Sequence, residues 1–75
     1  MSTINTIETG ANIKRMIKER GLKIKDIQAE MGFGTPQAIY KWFNGVTMPT
    51  LDNIVILAGI FNVAIDDIVV TEKIM

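Results

Sequence analysis

Thr35-Pro36-Gln37-Ala38-Ile39-Tyr40-Lys41-Trp42-Phe43-Asn44-Gly45 is the stretch on which the reading of this chain turns. Thr35 ahead of Pro36 marks a helix start: a threonine hydroxyl can accept a bond from a free amide, and proline suits the first turn. Gly45 marks the stop, since glycine takes the left-handed cap conformation without steric cost. The interval predicts a helix over 36–44, about two and a half turns long. Ile39, Trp42 and Phe43 fall on one side at i, i+3, i+4. Gln37, Tyr40, Lys41 and Asn44 fall on the other. An aromatic anchor beneath such a helix leaves a row of amide, phenol and ammonium groups above it. Those groups either read a ligand or merely face solvent on a helix that exists to bury Trp42.

Composition narrows the ligand classes. With 75 residues there is material for one small domain, and 48% hydrophobic content is enough for a packed core. Cysteine is absent, so disulfides and thiolate metal sites are excluded and a cytoplasmic setting is expected. There is no histidine, and Ser2 is the only serine, which removes nucleophilic triads and imidazole acid–base chemistry. No enzyme, no cofactor and no small-molecule substrate is expected. The first twenty residues carry no apolar core of signal-peptide length. The longest apolar run, 54–61, is too short for the roughly twenty residues a bilayer requires. A soluble protein with no membrane partner is the expectation.

The formal net charge of zero is unevenly spread. Through Gly45 seven bases face four acids, net +3. From Val46 onward Lys73 faces four acids, net −3. The front portion is suited to a polyanion and the back portion is not. Ordinary solvated helix faces account for the individual charges about as well.

Outward from the central stretch the chain reads as all-α, with helices at 10–20, 24–31, 36–44, 51–61 and 65–69. Residues 1–8 lack a clear period and are expected to form a flexible arm, with 9–75 a single domain ending in a short tail. Ile13, Met16 and Ile17 form the first core stripe, and Gly21 stops that helix. The second stripe is Ile24, Ile27, Gln28 and Met31. Lys23 stands where a serine or threonine cap would be stronger, so that helix start depends on packing. Gly32-Phe33-Gly34 turns the chain into the third helix, with Phe33 plugging the core: a helix-turn-helix pattern. Thr50 caps the fourth helix, whose core stripe is Leu51, Ile54, Leu57, Ala58 and Phe61. Asn62 is its left-handed cap. Asp66 and Asp67 suit the first turn of the fifth helix, where the dipole favours negative charge.

Residues 13–22 (Ile-Lys-Arg-Met-Ile-Lys-Glu-Arg-Gly-Leu), 26–33, 38–42, Asn44-Gly45, Pro49, Leu51 to Ala58, Phe61-Asn62-Val63 and 65–68 together resemble the phage-repressor-type (Cro-like, Xre-like) helix-turn-helix DNA-binding domain. The most specific marks are Ala29 at the expected tight helix crossing, the Trp42-x-x-Gly45 ending and Pro49. The resemblance covers about Thr9 to Val70. It implies an all-α, five-helix, lambda-repressor-like domain whose third helix enters the major groove of double-stranded DNA. Two departures stand out. Members of that family often carry an arginine where Ile17 stands and a glutamate where Phe43 stands, paired as a partly buried ion bridge. Here both are apolar, and an apolar pair can replace a buried ion pair without loss, so Ile17 and Phe43 are expected to touch. The turn Gly34-Thr35-Pro36 is also one residue longer than the usual link.

On that reading the base-contacting residues are Gln37, Ala38, Tyr40 and Lys41. A glutamine amide can bond adenine bidentately, Lys41 reaches guanine or a phosphate, Tyr40 a phosphate or a thymine methyl, and Ala38 is small enough to admit bases. Lys25 and Gln28 on the second helix, with Thr35, Asn44 and Thr47, are the phosphate-contact candidates. Val46 follows the third helix toward the backbone. Lys14, Arg15 and Lys18 read as a solvated face before they read as a DNA contact.

The fourth helix carries Ile56 opposite its core stripe, with Val55 and Ile60 on the flanks. Val69, Val70, Ile74 and Met75 add apolar surface at the chain end. This predicts a two-fold homodimer through Val55, Ile56, Ile60, Val69 and Val70, setting two recognition helices about 34 Å apart on a pseudo-palindromic operator. The competing expectation is that the tail folds back over Ile56 in the same chain. The function expected is sequence-specific DNA binding, as a transcriptional repressor or regulator. The alternative is a helical protein-interaction module, an antitoxin or adaptor, which the neutral overall charge keeps open.

Overall fold

Ile13, Ile27, Ile39, Leu57 and Ile68 are completely buried, one from each of five helices. The computed structural model describes residues 2–73; Ile74 and Met75, counted above as apolar surface, lie outside the described residues, as does Met1. The helices are α1 (Thr6–Glu19), α2 (Ile24–Met31), α3 (Gln37–Phe43), α4 (Leu51–Phe61) and α5 (Ile65–Ile68). Two short strands, β1 (Ser2–Ile4) and β2 (Thr71–Lys73), pair antiparallel, with Ser2 opposite Lys73 and Ile4 opposite Thr71. Among the described residues no helix is long and apolar enough to cross a membrane.

Met16, Ile17, Trp42, Ile54 and Phe61 complete the core, and Phe33 packs against it from the α2–α3 turn. The Phe33 and Trp42 rings meet edge to face, 5.7 Å between centroids. Such a pair contributes about 0.5–1.5 kcal/mol beyond area burial. The plug expected at Phe33 and the anchor expected at Trp42 are both present. Leu51, placed in the core stripe from its spacing, is instead 71% exposed. It is the first residue of α4, and the stripe starts one turn later at Ile54. Thr50 caps the helix as expected, accepting from the Asn53 amide, and Asn62 ends it in the left-handed region at φ 58°.

The first eight residues depart most from the sequence reading. The expected loose arm is ordered over its described part: β1 joins β2, and α1 begins at Thr6, not at residue 10. Asn5 is responsible for the early start. Its side-chain oxygen accepts from the Glu8 amide at 2.9 Å, its side-chain nitrogen donates to Glu72 at 2.9 Å, and its backbone amide donates to the Val70 carbonyl at 2.8 Å. Thr9 is buried and exchanges bonds with both backbone groups of Val70. Asn12 donates to the carbonyls of Asp67 and Ile68. Asn5 at the N-cap and Thr9 and Asn12 within α1 thus hold residues 67–72.

Ala29, expected at the tightest helix crossing, is exposed. The close approach lies elsewhere, between α1 and α3. A Cβ built on Gly10 would stand 1.7 Å from the Trp42 carbonyl oxygen, so the α1 backbone rests directly on that of α3. Gly45 repeats the arrangement against Ile7, with the nearest atoms at 2.7 and 2.8 Å from its hypothetical Cβ. Two glycines therefore fix where α3 sits against α1.

Candidate nucleic-acid interface

The local chemistry of α3 differs from the expectation at its start and agrees at its end. Pro36, not Thr35, occupies the N-cap position, and no side chain caps the helix. The carbonyl of Pro36 instead receives the amides of Ile39 and Tyr40, while Thr35 is exposed. At the other end Gly45, at φ 70°, donates to the Trp42 carbonyl and Val46 donates to the Lys41 carbonyl. That pair of bonds is the left-handed glycine stop that satisfies the last free carbonyls. α2 starts without a cap from the Lys23 side chain. Asp26 reaches back and accepts from the Lys23 amide at 3.4 Å, the reciprocal half of a capping box and a different bond from the one a serine at this position would accept.

The burial of Ile39 and Trp42 fixes the rotation of α3. With that side turned inward, Gln37, Lys41 and Asn44 stand exposed, Tyr40 is 49% exposed, and Ala38 is half-buried between them. Past the helix, Val46 and Thr47 are exposed on the loop. Lys25 is exposed on α2. Gln28 is half-buried, and its side-chain nitrogen donates to the Phe33 carbonyl at 3.2 Å, so one of its donors braces the α2–α3 turn. Tyr40 is steadied sideways by Phe43, with ring centroids 6.0 Å apart and planes at 79°.

Beside this edge lies a hollow of about 410 Å³ lined by Lys14, Ile17, Lys18, Leu22, Ile24, Tyr40, Phe43 and Asn44. Ile17 is buried and Phe43 half-buried, and both contribute to this one hollow. The site where the resemblance implied an ion pair is therefore apolar, shared between α1 and α3. The Lys14 ammonium stands 6.0 Å from the Phe43 ring centroid. Sequence reading treated Lys14 and Lys18 as a solvated face and did not place them beside Tyr40 and Asn44. Their i, i+4 spacing puts them on one stripe of α1, but only the α1–α3 packing shows which neighbour that stripe meets.

The two arginines are committed within the fold. Arg15 bonds Glu19 at 2.7 Å and also donates to Asn12, and Arg20 donates to the Phe61 carbonyl at 3.1 Å while lying over its ring.

The residues expected at a dimer interface divide. Val55 is 53% exposed and Ile56 half-buried. Ile60 and Val69 pack against the core, and Val70 is tied to Asn5 and Thr9. The apolar surface available for a partner is smaller than the sequence indicates, because the inward-turned residues belong to the protein's own core.

A helix pair joined by a glycine-bearing turn, with the second helix anchored below and polar above, defines a helix-turn-helix domain. Residues 13–68 match the model of a helix-turn-helix family, and the chain belongs to that family, of the Xre/Cro-like type. Comparison with curated proteins and with solved structures found no match. The family is one of double-stranded DNA-binding regulators and generally not of enzymes, and the chain is a DNA-binding helix-turn-helix domain.

Proposed function

We propose that the protein reads a specific duplex sequence with α3 in the major groove and acts in the cytoplasm as a transcriptional repressor, excluding other proteins from its operator. The observation that carries this reading is the exposed edge Gln37, Tyr40, Lys41 and Asn44 above the buried Ile39 and Trp42. Gln37 lies at the N-terminal end of α3, the end that reaches deepest into the groove in helix-turn-helix docking. Its amide selects adenine, a choice of about 1–3 kcal/mol for a good bidentate pair. Lys41, one turn on, meets guanine or a phosphate. Tyr40 and Ala38 complete the base-facing set. Lys25, Gln28, Thr35, Asn44 and Thr47 hold the phosphates and set the register, contributing affinity without sequence choice.

Two copies related by a two-fold axis would place two such helices on a pseudo-palindromic operator. What supports the dimer is the exposed Val55 beside half-buried Ile56 on α4, together with Ile60, Val69 and Val70, which are only half-buried within the protein.

Selection of bound duplexes from a random pool tests the proposal. The expected result is an enriched inverted repeat, bound with an affinity that falls as salt rises. Gln37→Ala is expected to relax selection at one base position, and Lys41→Ala to weaken binding further. No enrichment, or unchanged selection by both variants, overturns the assignment of this edge. Light scattering at micromolar concentration reports the dimer, and a monomer bound singly to each half-site removes it.

A further inference from the structure

The hollow between α1 and α3 is a poor fit to a phosphodiester chain. Ile17, Leu22, Ile24 and Phe43 give it carbon walls, and a hydrated phosphate gains nothing by covering them. Its rim is a different matter. Lys14 and Lys18 are exposed, one helical turn apart on α1, and no carboxylate is among the lining residues. Among the described residues the ion pair formed is Arg15–Glu19, so neither lysine has a carboxylate partner there. Two other hollows on the surface differ: one carries Asp26 and Glu30, the other Glu8 and Asp67. Apolar walls beneath a one-sided pair of ammonium groups match a helix with apolar anchors at i, i+4 and carboxylates beside them.

We propose that this hollow docks an acidic amphipathic helix of a partner protein, and that the partner competes with DNA because Tyr40 and Asn44 border the hollow and also belong to the edge assigned to DNA. The docking rests on the hollow alone; only the competition rests on the DNA-binding reading. An occupant seated on Ile17, Ile24 and Phe43 covers the C-terminal half of α3. It then blocks entry of that helix into a groove without altering the fold.

The test uses the full chain and two synthetic peptides: a short helical peptide with leucines at i, i+4 flanked by glutamates, and its counterpart with lysines in place of the glutamates. Nuclear magnetic resonance titration without DNA is expected to show saturable shifts at Lys14, Ile17, Lys18, Ile24, Tyr40 and Phe43 with the glutamate peptide. The lysine peptide is expected to leave these signals in place. The double variant Lys14→Glu/Lys18→Glu, with a folded spectrum, should bind the glutamate peptide about tenfold more weakly or worse and gain affinity for the lysine peptide. Saturation at a different surface, equal response to both peptides, or no saturation overturns the docking. So does a second copy of the chain occupying the hollow in its place, read as concentration-dependent shifts at the same residues without peptide. If the charge-reversed variant loses DNA while the parent ignores the glutamate peptide, the hollow is a DNA contact. The docking then falls and the proposed function stands. If the parent binds the peptide but no duplex at any salt, the docking stands and the proposed function falls. Displacement of bound duplex by the glutamate peptide supports the competition, and a stable ternary complex overturns it.

Discussion

Replacing Gly10 by alanine sets two terms of opposite sign against each other. Gly10 lies inside α1, where alanine is favoured over glycine by about 1 kcal/mol. The added Cβ, however, would stand 1.7 Å from the Trp42 carbonyl oxygen and 2.8 Å from its carbon, against an ordinary contact of 3.4 Å or more. The obstacle is backbone and cannot rotate away, so α1 and α3 must separate by well over an ångström. Overpacking of this kind costs about 1–3 kcal/mol and sometimes more. Separation also weakens dispersion contacts along the shared face, which lose roughly a quarter to a half of their depth over a gap of 0.5–1 Å. The steric term wins, and a net loss of about 2 kcal/mol or more is expected. A domain this small loses roughly 4–8 °C in Tm per kcal/mol.

Gly59→Ala is the matched control. It too is helical, in α4, but nothing lies within 4 Å of its hypothetical Cβ, so only the propensity term acts and a gain of about 0.5–1 kcal/mol is expected. Urea denaturation followed by circular dichroism and by Trp42 fluorescence measures both. The Gly59→Ala background keeps the Gly10 variant measurable if the parent is marginal. A Gly10→Ala protein as stable as its parent would refute the close α1–α3 approach and with it the placement of the exposed edge of α3.

Thr9→Val should cost about 1–3 kcal/mol, because it strips the Val70 amide of its buried partner; hydrogen exchange should show β2 opening before the core. Asn5→Ala removes an N-cap and is expected to cost about 1 kcal/mol by thermal melting, as is Thr50→Ala at the start of α4. Thr35→Ala should change stability by less than about 0.5 kcal/mol, since its exposed side chain caps nothing; a loss near that of Thr50→Ala would restore the threonine cap at α3. If Lys25 touches a phosphate, Lys25→Ala should lower the slope of log affinity against log salt by about 0.9 without changing the preferred sequence.

The α3 segment was legible in the sequence because its information is local. A 3.6-residue period, a proline at one end and a glycine at the other are visible within eleven residues, and hydrophobic burial of Ile39 and Trp42 then determines which edge faces out. The same holds for the Thr50 and Asn62 caps and for the class of protein. Other features depend on partners far away in the chain. The order of residues 2–8 comes from β2, Val70 and Glu72, more than sixty residues distant, and no local period announces a pairing of three-residue strands. Leu51 and Ala29 carried the right spacing or type but lie where no neighbouring element covers them. Which glycine permits the closest helix approach, and which lysines border α3, are likewise settled only when α1 meets α3. Periodicity gives each helix its inner face; the contact between helices decides what stands beside that face.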